Sequence, residues 1–578
     1  MHIKERTINP EVYDTCINNG YPEIVARIIA GRTDTFNKDI FEFSLDAIKP
    51  ADNMADCTKA SRRLALAINS NETILLFTDY DVDGCTSMAV LYEALHDVFG
   101  VPASKIIRLT GHRTRDGYGL TDSIADKIID IKPDIVITAD TGTSDGERIT
   151  RVADAGVDVI ITDHHLIPKE GIPKSALAVV NPQRENCQYD SSIAGCGVAW
   201  LLMTALSREM GAVLEQKQKI HQLLDYVALG TVADLVSMAS VTNRYFVKKG
   251  LEFINRRART CWQVALKSQL ANSGYIGFQL APRINASSRM TGEALLALEF
   301  LTENDHKQIA VAYDQLDMLN NERQKIEKEM FEAAKASMGI IDLASGAIDP
   351  ILIYYNENNH PGIQGIVAGK ITENFGIPAI MLANIGNNIV VGSGRAGQFL
   401  HIRDALQTFD NLYPGVFIAY GGHKAAAGFK INMENVDLFK KEFQDIVTKQ
   451  LADQDTTPYI KTDGSLKLKG GISLETYYHI EALNPFGMGF PSPMFHDQMV
   501  ATDVRVMGKY PVHISMMLDG IKSVFFNALA HPEALMPVNS GDLVNVVYTL
   551  NLNSWQGRES LQLFIKKIDV CCSKACCP

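Results

Sequence analysis

Three short apolar runs early in the chain each end in aspartate, and helical patterns lie between and around them. ILLFT (74–78) opens into DYDVDG, DIVITA (134–139) into Asp140, and VDVIIT (157–162) into Asp163, His164 and His165. Short β-branched and aromatic runs bounded by polar residues read as buried strands. The stretches TDSIADKIIDI and SDGERITRVADAG carry helical spacing. Strands and helices in alternation, joined by short links, give a parallel sheet. Such a sheet places the carboxyl end of every strand on one edge, so the acidic residues converge there.

What they do at that edge follows from their spacing. Asp79, Asp81 and Asp83 occupy alternate positions, and alternate side chains of an extended segment share a face. Carboxylates so crowded repel unless cations lie between them. A calcium loop of the EF-hand kind is excluded, because its twelfth position needs glutamate and here is Val90, and because it follows a helix rather than a strand. Turn and cap duty explains one aspartate, not three in alternation. Thr86 or Ser87 is placed to cap the following helix, SMAVLYEALHDVF. Asp140 and His164 reach the same spot from neighbouring strand ends. Mixed carboxylate and imidazole donors suit manganese better than magnesium, and a bridging aspartate allows two ions about 3.5 to 4 Å apart. Which of the adjacent histidines coordinates stays open; His164 is the expected ligand, with His165 directed to a phosphate oxygen.

With 55 basic and 67 acidic residues the chain has a net charge of −12, which excludes a passive nucleic-acid coat. Locally the balance reverses: from Val241 to Met290 nine basic residues face one acidic residue, Glu252. That run suits a solvated helix face or a track for phosphates. No apolar stretch approaches the roughly 18 uncharged residues of a membrane span, and MHIKERTINPEVYD lacks the apolar core of a signal peptide, so a cytoplasmic protein is expected. Cys85, Cys196 and Cys261 read as reduced buried thiols, and the tail bearing Cys571, Cys572, Cys576 and Cys577 as a disordered end.

TDYDVDG, ADTG, TDHH and GTVADLV, in this order, resemble the four motifs of the DHH phosphoesterase superfamily. RTRDGYGL, AGCGVAW, LAPRINASSRM, HPGIQGIVAGK, GSGRAG, GGHKAAAGF and NPFGMG narrow the resemblance to its single-strand-specific exonuclease branch, the RecJ family, over most of the chain. Carried onto this sequence, the family's metal ligands fall on Asp79, Asp81, Asp83, Asp140, His164 and Asp234. Asp140, His164, His165 and His423 match its catalytic positions, His423 lying against the scissile phosphate. Arg113, Arg283, Arg289, Ser393 and Arg395 match positions that bind substrate phosphates, among them the 5′ end. Ser287 and Ser288 replace a typical Ala-Gly pair.

The resemblance implies an α/β protein in which a parallel-sheet DHH domain is joined by a long helix to a second α/β, DHH-associated domain, with a C-terminal OB-fold barrel. The boundaries expected are an N-terminal arm (1–44), the catalytic domain (45–240), a basic and helical connector (241–344), the DHH-associated domain (345–452), the OB fold (453–570) and the cysteine-rich tail (571–578). LDMLNNERQKIEKEMFEAAKASM has the length and pairing of a long exposed helix. The function implied is a 5′-to-3′ exonuclease that hydrolyses single-stranded DNA to mononucleotides with two Mn2+ or Mg2+ ions, in DNA repair and recombination. It would act as a monomer on a 5′-phosphorylated end, with a single-strand-binding protein and a helicase as partners. The alternatives are a phosphodiesterase for short oligonucleotides or cyclic dinucleotides and a non-catalytic DNA-binding replication scaffold.

Overall fold

The structure is a computed structural model that describes residues 2–338, 350–452, 454, 459–468, 471–507, 512–528, 538–555 and 557–572. Cys576 and Cys577 lie outside the described residues. The chain forms two compact units, one of residues 49–234 and 249–458, the other of residues 1–48, 235–248 and 459–578.

In the larger unit five strands form the expected parallel sheet: β1 (Ile74–Thr78), β2 (Ile106–Thr110), β3 (Ile135–Ala139), β4 (Asp158–Thr162) and β5 (Ala178–Val180), in the order β2-β1-β3-β4-β5. β1 and β3 are buried along their whole length, as strands covered by helices on both faces must be. The register aligns Thr78 with Ala139 and Ala139 with Thr162, so the strands end level. From β1 the chain runs first to β2 on one side and then to β3 on the other, and Asp79 and Asp140 follow the strands that flank this switch point. Helices α1 (Val82–Glu93), α2 (Gly195–Glu209) and α3 (Leu224–Ala233) pack together beside it.

Helix α4 (Ala281–Thr291) leads towards α5 (His306–Met338), the expected long helix. It is not exposed all round: Ile309, Ala312, Leu316, Asn320, Arg323, Glu327, Met330 and Ala334 recur three or four residues apart and form a buried stripe. The second α/β domain has the mixed sheet β9-β10-β8-β7-β6, built from β6 (Leu352–Tyr355), β7 (Ala379–Asn384), β8 (Ile389–Arg395), β9 (Phe417–Gly422) and β10 (Ala426–Asn432). Helix α6 (Gln364–Phe375) packs against β7 and β8. β6 and β7 run parallel; the β7–β8 and β9–β10 pairs are antiparallel hairpins, and β8 and β10 pair antiparallel across the intervening helix and β9.

In the smaller unit Phe495–Met507, His513–Leu518, Ile521–Phe525, Leu543–Trp555 and Arg558–Cys572 close into the expected barrel, which has five strands. The N-terminal strand His2–Glu5 pairs in parallel with Tyr459–Thr462, and Arg32 grips Asp463 with two hydrogen bonds of 2.6 and 2.9 Å. The basic run from 241 to 290 is not one continuous surface. Arg244 is fully buried, donating to the carbonyl oxygens of Ile40, Leu483 and Pro485, while Arg259 pairs with Glu93 and Asp225 in the larger unit. Among the described residues no helix is long and apolar enough to cross a membrane.

Candidate active site

The acidic turn after β1 is itself the start of α1. Asp81, not Thr86 or Ser87, caps the helix, its Oδ1 accepting from the amides of Asp83 (2.9 Å) and Gly84 (3.1 Å). Thr86 lies inside the helix and donates to Val82 O. The tight strand-to-helix turn needs glycine at 84, where a Cβ would stand 2.2 Å from Asp79 O. Asp83 is drawn inward by the buried amides at the start of α2, accepting from Gly195 N (2.6 Å) and Cys196 N (2.9 Å). Asp140 follows β3 with φ +60°, a left-handed conformation that costs a non-glycine residue roughly 1 to 2 kcal/mol and clusters at functional sites. Asp234 caps the end of α3.

These elements bring Asp79, Asp81, Asp83, Asp140, His164 and Asp234 together. Three sets of donor atoms each lie within 4.8 Å of one another: Asp140, His164 and His165; Asp83, His164 and Asp234; Asp79, Asp81 and Asp140. Asp140 and His164 each belong to two sets. Burial, with the Asp81 charge beside it, pushes Asp79 up to about 8, and burial with the Asp83 charge pushes Asp234 up to about 9. Asp140 is raised well above the carboxylate range by burial and by Asp83, Asp81, Asp79 and Asp234. Arg113 and His165 only partly offset this for Asp79. His164 Nε2 is buried and has no hydrogen-bond partner among the described residues, yet lies 3.1 Å from Asp140 Oδ1, 3.7 Å from Asp234 Oδ2 and 3.8 Å from Asp83 Oδ2. An imidazole nitrogen facing crowded carboxylates is a set of donors suited to a divalent metal ion.

His165 belongs to the same edge but is held differently. Asp163 Oδ1 accepts from its Nδ1 at 2.8 Å, and the Tyr118 hydroxyl stands 3.3 Å from its Nε2. Burial opposes charge on His165, but the hydrogen bond and charge of Asp163 outweigh it and raise the imidazole to about 9. The loop is braced by residues the sequence reading did not single out. Thr143 N donates to Asp163 Oδ2, and fully buried Asn181, just past β5, donates to Thr143 Oγ1 and His165 O. Their one sequence signal is position, since each lies within four residues of a strand end.

Beside the acids stands a group of cations. The Arg113 guanidinium lies 4.9 Å from the Tyr80 ring and its Nη1 is 3.4 Å from Ser288 Oγ. Arg289 donates to Gly362 O at 2.9 Å; burial and the nearby Arg113 charge pull it down to about 9, and burial lowers Arg395. Ser393 and Arg395 flank the first turn of α6, whose N-terminus carries no side-chain cap. A Cβ on Gly365 would meet Ser393 Oγ at 2.8 Å and Arg395 Nη2 at 3.3 Å. Gly365, which lies in the motif HPGIQGIVAGK but is not among the site residues expected from it, therefore keeps open a cradle of helix amides, hydroxyl and guanidinium suited to a phosphate. Arg283 is instead occupied by Asp317 (2.7 Å) and Gln279 O (2.7 Å). His423 sits exposed in the turn between β9 and β10, with its amide donating to Ala426 O, and belongs to none of the donor sets among the described residues.

Family models match three stretches: the DHH family, N-terminal domain, over residues 73–231; the DHHA1 domain over 349–449; and the RecJ OB domain over 462–567. The single-stranded-DNA-specific exonuclease RecJ of Escherichia coli (strain K12) is 32% identical over 573 residues, 95% of this chain and 96% of that protein. The chain belongs to the RecJ exonuclease family. The fold agrees: RecJ from Thermus thermophilus in complex with Mn2+ superposes with a TM-score of 0.80 at 23% identity, covering 98% of this chain and 79% of that one. Its complex with Mg2+ gives 0.75 at 22%, covering 98% and 78%. In this chain the acidic centre gathers three sets of donors, each suited to holding a metal ion.

Proposed function

We propose that this chain removes nucleotides from the 5′ end of single-stranded DNA by hydrolysing the phosphodiester bond beside a two-metal centre. The observation that carries the reading is the adjacency of two opposite charge crowds. The Asp79 to Asp234 carboxylates, with His164, would hold the cations, Asp140 and His164 each offering a donor to two of the sets. Arg289 feels the charges of Arg113, Arg395 and Asp81, and Arg113 acts on Asp79, so a phosphate held by the cations would lie beside the acids. Bound divalent ions would lower the pKa of the attacking water and stabilise charge on the phosphoryl oxygens.

The chain's own residues do the rest. Ser393, Arg395 and the Gly365 turn would hold a terminal 5′-phosphate, which fixes the polarity, because the bond presented to the acidic centre is then the one nearest that end. His165, kept cationic by Asp163, would donate a hydrogen bond to a phosphoryl oxygen. Arg283 and His423 would serve the substrate only after leaving their present partners and turn, and the family resemblance is what supports them. The barrel of the smaller unit would bind the trailing strand. Cytoplasmic work in repair and recombination, as a monomer with a single-strand-binding protein and a helicase, follows the same resemblance.

The test uses a long single strand labelled at its 5′ or 3′ end, its duplex, either metal, and Asp140→Ala as control. Immediate release of mononucleotide from the 5′ label with the duplex spared is the expected result. Release from the 3′ label first would overturn the polarity.

A further inference from the structure

Helix α4, which carries Arg289, ends at Gly292, a residue with φ +85° whose amide donates to Ser288 O. A left-handed position after a helix is met by glycine and also by asparagine. What sets Gly292 apart is its neighbour. A Cβ there would stand 2.0 Å from His112 Cε1, 2.4 Å from Nε2 and 2.6 Å from Nδ1, so the imidazole lies against the glycine and leaves no room for a methyl group. Gly211, just beyond α2 and also left-handed at +64°, has nothing within 4 Å of the same position. Helix termination thus explains the conformation of Gly292 but not the ring seated on it.

His112 also opens a closed turn. Its amide donates to Asp116 Oδ2 (2.9 Å), its Nδ1 accepts from Arg115 N (3.2 Å) and its carbonyl accepts from Asp116 N (2.8 Å). Arg113, inside that turn, donates its amide to Gly292 O at 2.8 Å, and its guanidinium reaches Ser288 one turn back in α4. Arg113 is therefore fastened at both ends to the helix that bears Arg289. The same helix end holds a third segment: a Cβ on Gly362 would stand 2.3 Å from Arg289 O, and Arg289 Nη1 donates to Gly362 O. Guanidinium groups that feel one another's charge, as Arg289 feels Arg113, repel and would swing apart if free. A mounting that forbids the swing leaves that repulsion to be relieved by an anion between them. We propose that the seat of His112 on Gly292 is a positioning contact, which sets the spacing of Arg113 and Arg289 and through it the grip on a phosphate of the strand. His112 acts through Arg113 and not on the phosphate itself. This rests on the substrate reading above.

The experiment compares the full-length protein with His112→Ala, His112→Phe, Gly292→Ala, Arg113→Ala and the double variant His112→Ala/Arg113→Ala on a 5′-phosphorylated long strand. His112→Ala removes the ring and Gly292→Ala pushes it off its seat. Both are expected to raise KM about tenfold while kcat and Mn2+ affinity hold, since a small displacement of a binding group is costly. His112→Phe keeps a flat ring on the glycine and should restore KM. Once Arg113 is alanine, removal of the imidazole should raise KM no further, whereas independent effects would multiply. An unchanged KM in His112→Ala, no rescue by phenylalanine, or multiplying losses in the double variant would overturn the proposal. Should the melting curve show His112→Ala unfolded, the KM of Gly292→Ala decides in the same way. Failure of the unsubstituted protein to cleave any strand would instead count against the substrate reading; the affinity of each protein for the phosphorylated strand in metal-free buffer, read by fluorescence anisotropy, then decides the positioning.

Discussion

His164 Nε2 and Asp140 Oδ1 lie 3.1 Å apart in a buried site, and the imidazole nitrogen has no hydrogen-bond partner among the described residues. An acceptor nitrogen and a carboxylate oxygen at that distance suit a shared cation, and each residue takes part in two donor sets. The expected properties of the protein turn on this pair and its neighbours.

Metal-free protein should become less stable as pH rises from about 4 to about 9. Unfolded aspartates ionise near 3.9, whereas folded Asp79 and Asp234 keep their protons to about 8 and about 9. In that window the folded state binds more protons than the unfolded state, so raising pH favours unfolding. Thermal melts in chelator across pH should show the decline, and Mn2+ should flatten it. Calorimetry at pH 7 should detect protons released as Mn2+ binds.

Asp140→Asn should separate stability from activity. Folded Asp140 is held protonated by burial and the neighbouring acids and must take up that proton on folding at neutral pH, whereas asparagine need not, so the melting temperature in chelator rises. Losing the shared donor lowers kcat by roughly a hundredfold or more, the scale on which metal stabilisation of several kcal/mol acts. A variant with near-normal turnover and unchanged manganese content would sink the assignment.

Asp163→Asn keeps the shape of the loop but removes the charge that holds His165 protonated. Loss of such a supporting partner is worth about 10- to 100-fold in activity. The loss should appear in kcat rather than in the affinity for the strand.

Gly365→Ala inserts a methyl group against Ser393 Oγ and Arg395. It should reduce the preference for a 5′-phosphorylated over a 5′-hydroxyl end, as should Arg395→Ala. Competition between the two labelled ends measures it, and equal losses on both would count against the cradle.

Gly230→Ala tests the packing behind the acids. Its Cβ would meet Thr86 Oγ1 at 2.4 Å, Cys196 Sγ at 2.5 Å and Asp83 Oδ1 at 2.8 Å. Overpacking of this kind costs about 1 to 3 kcal/mol. A lowered melting midpoint should accompany weaker metal binding, because Asp83 has no room to yield.

The parallel sheet and its acidic edge were legible because local pattern specifies them: β-branched runs form strands, and the level register of β1, β3 and β4 follows from their nearly equal lengths. The cap at Asp81 was misplaced because capping depends on where φ and ψ turn helical, and DVDG enters the helix at once. The basic run misled for a different reason. Charge is visible in sequence but its partner is not: Arg244 spends its donors on backbone carbonyls, and Arg283 on Asp317 and Gln279 O.

By itself, then, the sequence determined the strands, the convergence of Asp79, Asp81, Asp83, Asp140 and His164 on one edge, and the family motifs, all of which depend on residues close in the chain or on the geometry common to every parallel sheet. Tertiary structure alone decided that Gly365 opens a turn between Ser393 and Arg395, that Asn181 braces His165, and that Gly292 seats His112. Each of these depends on distances between segments far apart in sequence, which packing fixes and local propensity does not encode.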